Sequence, residues 1–236
     1  MLPALGVTAD CVMADPPYES TSLAWDKWPD GWLETAASVT RSMWCFLPRR
    51  QFVEPPFRGA EFHAAGWKFS QPGVWEKPVG SGFAADRLKC VHEEFGHWYR
   101  GKWGDIYHRV PRVAVSHRIK GSNGRGQPAQ TGAIAFAPWE DDGTRMVRSV
   151  IHARSMWRRG AIHRTEKPVP LLLPLIKYAC PPGGLVVAPF AGSGSDLEAA
   201  RMSGRRSIGV ELREEDAEKA ARRLEAVTLN FGDGAA

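Results

Sequence analysis

An aspartate, two prolines and a tyrosine stand in a row at Asp15-Pro16-Pro17-Tyr18, directly after the short apolar run Asp10 to Ala14. Two prolines cannot continue a sheet interior, so the run, read as a strand, stops at a rigid turn. That turn sets a carboxylate, a prolyl carbonyl with no adjacent N–H to satisfy, and an aromatic face side by side, a cradle for a planar amine. The bare alternative is a proline-capped strand end with an incidental Asp. A second constellation, Phe190-Ala191-Gly192-Ser193-Gly194, lies where a strand beginning at Leu185 to Val187 feeds a helix over Asp196 to Met202. Glycines there let a ligand approach the backbone amides at the helix N-terminus. Glu211 closes the next strand, Ser207 to Leu212, at the place where an acid accepts hydrogen bonds from ribose hydroxyls. G-x-G alone serves equally well as a tight turn. With the acid so placed a nucleoside site is favoured, and the missing third glycine of the dinucleotide fingerprint argues against a pyrophosphate-bearing cofactor.

These groups need elements to hold them. Apolar spacing predicts a helix over Trp32 to Val39, a buried strand over Met43 to Leu47 cut off by Pro48, a strand over Gly66 to Glu76 broken at Pro72-Gly73, and another over Glu94 to Tyr99. A helix over Val169 to Ala179 closes at Pro181-Pro182-Gly183-Gly184, and an amphipathic helix over Arg213 to Val227 carries acids in its first turn, where the helix dipole favours them. Strand, glycine loop, helix, strand ending in an acid, helix: that order is a Rossmann-like half. From Gly101 to Arg164 the pattern weakens around the basic glycine loop Gly121 to Gly126, which reads as an insertion or lobe over the main sheet.

At 236 residues, 43% hydrophobic and 24% charged, the chain has a globular composition that excludes disorder, collagen-like fibre and a disulfide scaffold. Its net charge of +5 is unevenly spread: residues 1–40 carry −5, residues 41–165 carry +11 and residues 166–236 carry −1. All seven histidines and all ten tryptophans precede residue 165. Basic charge among flat aromatics suits a polyanion with stackable bases, and a solvated surface over core tryptophans is the plain alternative. Cys11, Cys45, Cys90 and Cys180 form no C-x-x-C pair, so they supply no zinc framework, no metal is expected, and they fit a reducing compartment. No run approaches the roughly 18 apolar residues of a membrane helix, and the N-terminus lacks the basic region of a signal peptide. The expected location is cytoplasmic, with no membrane partner.

At this point the chain resembles a known family, the amino-group DNA methyltransferases of the N4-cytosine/N6-adenine type, in the motif order called beta. Asp15-Pro16-Pro17-Tyr18 matches its catalytic D-P-P-Y. His163-Arg164-Thr165-Glu166-Lys167-Pro168 resembles its H-x-T-E-K-P segment, Pro189 to Ser195 its P-F-x-G-S-G-T loop, and Gly204 to Glu211 its G-R-x-x-I-G-I-E strand. Trp75-Glu76-Lys77-Pro78 and His92-Glu93-Glu94 look like its W-x-K and H-E segments. Three departures stand out: Ala188 where members commonly carry Asp, Ser195 in place of Thr, and only 14 residues before Asp15, where relatives often have a segment that helps hold the cofactor adenine.

The resemblance implies an α/β fold: a Rossmann-like methyltransferase sheet, mostly parallel with one antiparallel strand, flanked by helices, circularly permuted in motif order, with a small inserted basic recognition lobe. The catalytic part would span 1–103, the target-recognition region 104–162, the S-adenosyl-L-methionine-binding part of the same domain 163–230, and a flexible tail 231–236. It implies an adenine-N6-specific DNA methyltransferase with Asp15, Pro16, Pro17 and Tyr18 catalytic, and Thr165, Lys167, Phe190, Gly192, Ser193, Gly194, Ser195 and Glu211 holding S-adenosyl-L-methionine. Lys167 has a competing reading as a solvent-exposed residue. Asp rather than Ser at position 15 favours adenine over cytosine N4, and the target base would be flipped out to stack on Tyr18. Arg109, Arg112, Arg118, Lys120, Arg125, Arg145, Arg148, Arg154, Arg158 and Arg159 would contact DNA, double- or single-stranded, at a short or relaxed site. A homodimer and a restriction–modification setting also follow from the resemblance alone. N4-cytosine or RNA N6-adenine methylation, and a catalytically silent nucleic-acid-binding protein on the same fold, remain open.

Overall fold

The computed structural model describes residues 6–53, 58–81, 85–115, 142–154 and 166–228. Among these, seven strands form one sheet in the order β7-β3-β4-β2-β1-β8-β9. They are β1 (Cys11–Ala14), β2 (Ser42–Phe46), β3 (Lys68–Ser81), β4 (Cys90–Tyr99), β7 (Val150–His152), β8 (Leu185–Ala188) and β9 (Arg206–Gly209). β1 pairs in parallel with β2 and β8, β8 with β9, and β3 with β7, while β4 runs antiparallel to both β2 and β3. The sheet is therefore mostly parallel with β4 as its one antiparallel strand, as expected.

Period-two alternation explains why the central strands are buried on both faces. Cys11, Met13, Trp44, Phe46 and Val186 face a core closed by α4 (Val169–Ala179) and α5 (Ser195–Met202). Val12, Ala14, Met43, Cys45 and Val187 face the opposite core, closed by α1 (Trp32–Val39) and α3 (Arg58–Ala64). Helix α1 buries Trp32, Leu33, Ala36 and Val39, one stripe at helical spacing. Its start is set by Gly31 at φ 68°, a left-handed position that suits a residue without a Cβ. α2 (Arg50–Val53) is one turn, and α6 (Glu214–Thr228) packs on α5.

Three expectations about elements are corrected. β3 does not break at Pro72-Gly73: Pro72 pairs with Gly96 and Gly73 with Phe95, the irregularities falling instead between Phe69 and Gln71 and between Glu76 and Ser81. A Cβ on Gly73 would lie 2.1 Å from the Phe95 ring, so the glycine is the gap that this ring fills. β7 begins its pairing with β3 only at Val74, so Pro72 faces an unpaired edge, where a missing N–H costs nothing. β9 ends at Gly209 rather than Leu212, because Val210 already bonds back to Ala188 and Ala191. Within the weakly patterned middle, β5 (Arg112–Ala114) and β6 (Thr144–Met146) form a separate two-stranded ribbon, but β7 joins the edge of the main sheet.

The aromatic composition resolves in favour of packing for half of the tryptophans: Trp32, Trp44, Trp67, Trp75 and Trp98 are buried. Residues 155–165 and 116–141, with Thr165, Arg118, Lys120, Arg125, Arg158 and Arg159, lie outside the described residues, as does the expected tail 231–236. No helix among the described residues is long and apolar enough to cross a membrane.

Candidate active site

In a parallel sheet every strand delivers its C-terminal end to the same edge, and the crevice forms where neighbouring crossovers diverge. Here β1 leads through α1 to β2 on one side, while its other neighbour, β8, leads through α5 to β9. Asp15, the first residue after β1, and Pro189 to Gly194, the loop after β8, thus stand side by side at that edge. Two motifs about three quarters of the chain apart meet because their strands are hydrogen-bonded neighbours.

The Asp15 carboxylate is held from two directions. The Tyr18 hydroxyl donates to Oδ1 at 2.5 Å, and Lys167 Nζ donates to Oδ2 at 2.5 Å. Lys167 also lies 3.4 Å from Glu93 Oε2, and Lys77 pairs with Glu93 Oε1. Charges therefore alternate along the row Asp15, Lys167, Glu93, Lys77. The Lys167 side chain is 6% exposed and Asp15 is 22% exposed, so the lysine is sealed beneath while the carboxylate keeps an open side. Burial opposes the Lys167 charge, yet Asp15 and Glu93 outweigh it and hold its ammonium above the usual lysine range. Burial likewise raises Glu93, but Lys167 and Lys77 outweigh it and keep the carboxyl below its usual range. Burial and Asp15 push the Tyr18 hydroxyl well above the ordinary phenol range. The reading of Lys167 as a solvent-exposed residue is thereby overturned; its partner is Asp15.

The turn itself is braced. Gln51 Nε2 donates to the Tyr18 carbonyl, and Asp26 accepts from the backbone N–H groups of Glu19, Ser20 and Thr21 and from the Thr21 hydroxyl. Burial opposes the Asp26 charge, but these four donors outweigh it and hold its carboxyl below the usual range. The Pro16 carbonyl, followed by Pro17, accepts no hydrogen bond among the described residues.

Glycines 192 and 194 both take positive φ, 48° and 76°. A Cβ on Gly194 would meet Ala220 of α6 at 2.9 Å, so this glycine serves close packing; one on Gly192 would meet nothing within 4 Å, so that side of the loop is open. Glu211 Oε2 accepts from Gly192 N at 2.8 Å and Oε1 from Arg213 N at 3.0 Å. Each oxygen keeps a second lone pair for a ligand hydroxyl. Phe190 is half-buried, its ring 5.3 Å edge-on to Trp32, while Ser193 and Ser195 are buried. Open glycine backbone, an acid at the neighbouring strand end and adjacent aromatic surface form a donor set that fits a nucleoside.

Several participants were not singled out from the sequence. Arg223 of α6 pairs with Glu166 at 2.6 Å and Glu198 at 2.5 Å and reaches the Ser193 carbonyl and hydroxyl at 3.5 and 3.4 Å. It clamps the residue preceding Lys167 onto the glycine loop, and no local pattern announces it. Glu93 and Lys77 did have a signal, the H-E and W-x-K segments. Asp196, the second residue of α5, is also buried at this edge.

The described basic residues of the middle region divide. Arg112 is tied to Asp142 and Thr144 inside its own ribbon, and Arg145 is half-buried with a bond to the Thr144 carbonyl. Arg109, Arg148 and Arg154 are exposed. Arg154 shares a cleft of about 300 Å³ with Glu76, Lys77, Pro78, His152 and Ala153, so the cleft adjoins the charge row through Lys77.

The family model described as DNA methylase, of the N6/N4 type, matches residues 9–222. YubD of Escherichia coli (strain K12) is 50% identical over 74 residues, 31% of this chain and 33% of its own length. The DNA adenine methyltransferase YhdJ of the same organism is 39% identical over 66 residues, 28% of this chain and 22% of its own. The matches thus span a third or less of these relatives. The crystal structure of an M1.HpyAVI–SAM complex superimposes with a TM-score of 0.62 at 17% identity, covering 94% of this chain and 92% of that one, a likeness of fold.

Proposed function

The chain belongs to the N6/N4 DNA methylase family, and from that premise we propose that it transfers a methyl group from S-adenosyl-L-methionine to the exocyclic N6 of adenine in DNA. The observation that carries this reading is the half-open Asp15 carboxylate beside the glycine loop, with an unbonded prolyl carbonyl next to it. An adenine amino group has two hydrogens and a lone pair delocalised into the ring. Asp15 and the Pro16 carbonyl each accept a hydrogen bond from one of those hydrogens, which draws the nitrogen toward tetrahedral geometry and frees the lone pair. As the N–C bond forms the C–S bond breaks, the neutral thioether is the leaving group, and the one surplus proton on nitrogen passes through Asp15 to solvent. Bound along the glycine loop, S-adenosyl-L-methionine supplies an electrophilic methyl group on a sulfonium. Gly192 to Ser195 and Phe190 line its nucleoside and methionine portions, Glu211 takes the ribose hydroxyls, and Thr165 belongs to the same set. Lys167 works from the other side, fixing Asp15 in place and balancing its charge. Catalysis is then positioning plus a preorganised acceptor for charge that develops on nitrogen.

The target base leaves the duplex to reach Asp15, at a cost of a few kcal/mol. Tyr18 offers its ring to that base while its hydroxyl stays on Asp15. In support of adenine, position 15 is Asp, and YhdJ, a DNA adenine methyltransferase, is among the relatives. Incubation with labelled S-adenosyl-L-methionine and DNA, followed by nucleoside mass spectrometry, is expected to yield N6-methyladenine. N4-methylcytosine would move the acceptor to cytosine, and equal or faster turnover on RNA would change the substrate.

Residues 104–162 are assigned to target recognition, with Arg109, Arg148 and Arg154, and Arg118, Lys120, Arg125, Arg158 and Arg159 beyond them, meeting phosphates and base edges; Arg112 and Arg145 serve chiefly to hold the ribbon. If three phosphates are neutralised, DNA affinity is expected to fall by at least about tenfold between 50 and 200 mM salt. A flat profile in fluorescence anisotropy would reduce the basic segment to solvated surface.

A further inference from the structure

Four acids are buried among the described residues, and three of them are partnered. Asp26 takes three backbone N–H groups and a hydroxyl, Glu166 pairs with Arg223, and Asp216 pairs with Arg213 and Lys219. Asp196, 7% exposed, has neither a hydrogen bond nor an ion pair among the described residues. Burying an unpartnered carboxylate is costly, so its retention calls for an occupant.

We infer that Asp196 is a binding residue for the cationic methionine end of S-adenosyl-L-methionine, its carboxylate facing the sulfonium and α-ammonium charges of the bound cofactor. The inference rests on the methyl-donor reading above. Its position follows from the fold: Asp196 comes directly after Gly194 and Ser195, on the first turn of α5, at the edge that carries Asp15. The groups that act on it come from every neighbouring element: Asp15 after β1, Cys11 within β1, Lys167 before α4 and Arg223 on α6. Neither cation is free to neutralise it, since Lys167 is bound to Asp15 and Glu93, and Arg223 to Glu166 and Glu198. Ala188, fully buried at the end of β8, brings no charge from the other end of the loop. Burial and the Asp15 charge push the Asp196 carboxyl up to about 7, so near neutrality it is partly protonated and a ligand cation would shift it toward the ionised form.

Two ligands separate charge recognition from mere shape. S-adenosyl-L-methionine carries both cationic groups, whereas 5′-methylthioadenosine keeps the adenosine and thioether and carries neither. In calorimetry at pH 8, Asp196→Asn is expected to weaken S-adenosyl-L-methionine by at least about tenfold and to leave methylthioadenosine within about twofold. At pH 6.5, in buffers of different ionisation enthalpy, the unmodified protein should release a proton on binding S-adenosyl-L-methionine that the Asn variant does not. Unchanged affinity in the variant, equal weakening of both ligands, or identical proton release would overturn the inference. The proton measurement on the unmodified protein stands even if the variant folds poorly. Failure of the unmodified protein to bind S-adenosyl-L-methionine at all would overturn the methyl-donor reading, and this inference with it.

Discussion

Asp15→Ala is expected to lower methyl transfer by about 10³-fold or more while the affinity for S-adenosyl-L-methionine changes by less than about threefold. The carboxylate is 22% exposed and stands at the end of β1, on the edge that β1 shares with β8. As the amino nitrogen attacks, positive charge grows on it, and a fixed carboxylate at hydrogen-bond distance is stronger in the transition state than toward the neutral amine. An acceptor of this kind therefore acts on kcat. Gly192, Ser193 and Glu211, the groups proposed to hold the cofactor, are held by Arg223, by Arg213 N and by one another, none of them through Asp15. Alanine leaves Lys167 paired with Glu93, so the core beneath should stay folded. Single-turnover transfer and equilibrium binding, measured on one preparation, check both halves. A variant that keeps a tenth of its activity, or that loses cofactor binding in proportion, would remove Asp15 from the role given to it.

Much of this arrangement is legible in the sequence because it depends on local patterns. The helices Trp32–Val39 and Val169–Ala179 fall on the expected residues, since apolar periodicity is bounded by Gly31 on one side and by Pro168 and Pro181 on the other. The meeting of Asp15 with the glycine loop is legible for a different reason: both motifs end strands, and a parallel sheet brings strand ends to one edge. What pattern reading does not reach is pairing across the chain. Lys167 and Asp15 are 152 residues apart, and nothing local in either segment names the other. Arg223 looks like any charge on an amphipathic helix until the fold sets it over Glu166, Glu198 and Ser193. The break expected at Pro72 fails because its consequence depends on which edge of β3 is paired there and on a ring, Phe95, that arrives from another strand. β9 ends three residues before the expected Leu212 for the same kind of reason: Val210 continues the apolar alternation, but its N–H donates to Ala188 at the end of β8 and its carbonyl accepts from Ala191 in the loop beyond, which brings Glu211 back toward Gly192.

Lys167→Met tests whether the charge row is structural as well as functional. The substitution keeps length and apolar stem but deletes the cation between Asp15 and Glu93, leaving those carboxylates and Asp196 with Lys77 and Arg223 as the nearby cations among the described residues. Breaking a buried pair by removing one partner costs about 3–5 kcal/mol, because the other charge stays desolvated. The cost must depend on pH, and its sign follows from Glu93. Held below the usual carboxylate range in the intact protein, Glu93 contributes stability that is present above the unfolded carboxylate pKa and is lost as pH falls through the folded value. Without Lys167 the same carboxyl loses the largest of the charges that lower it, and burial raises it, so the variant can shed part of its penalty by taking up a proton as the solution is acidified. Lys167 itself, held above the usual lysine range, stays charged throughout the window from pH 8 to pH 5.5 and adds no slope of its own there. The deficit in urea unfolding is therefore expected to be largest at pH 8 and to shrink at pH 5.5. In the folded fraction, transfer should drop by at least about a hundredfold, with a smaller effect on cofactor affinity, since the ammonium touches Asp15 and Glu93. A deficit below about 1 kcal/mol at pH 8, or one equal at both pH values, would place Lys167 outside the charge balance that the geometry assigns to it.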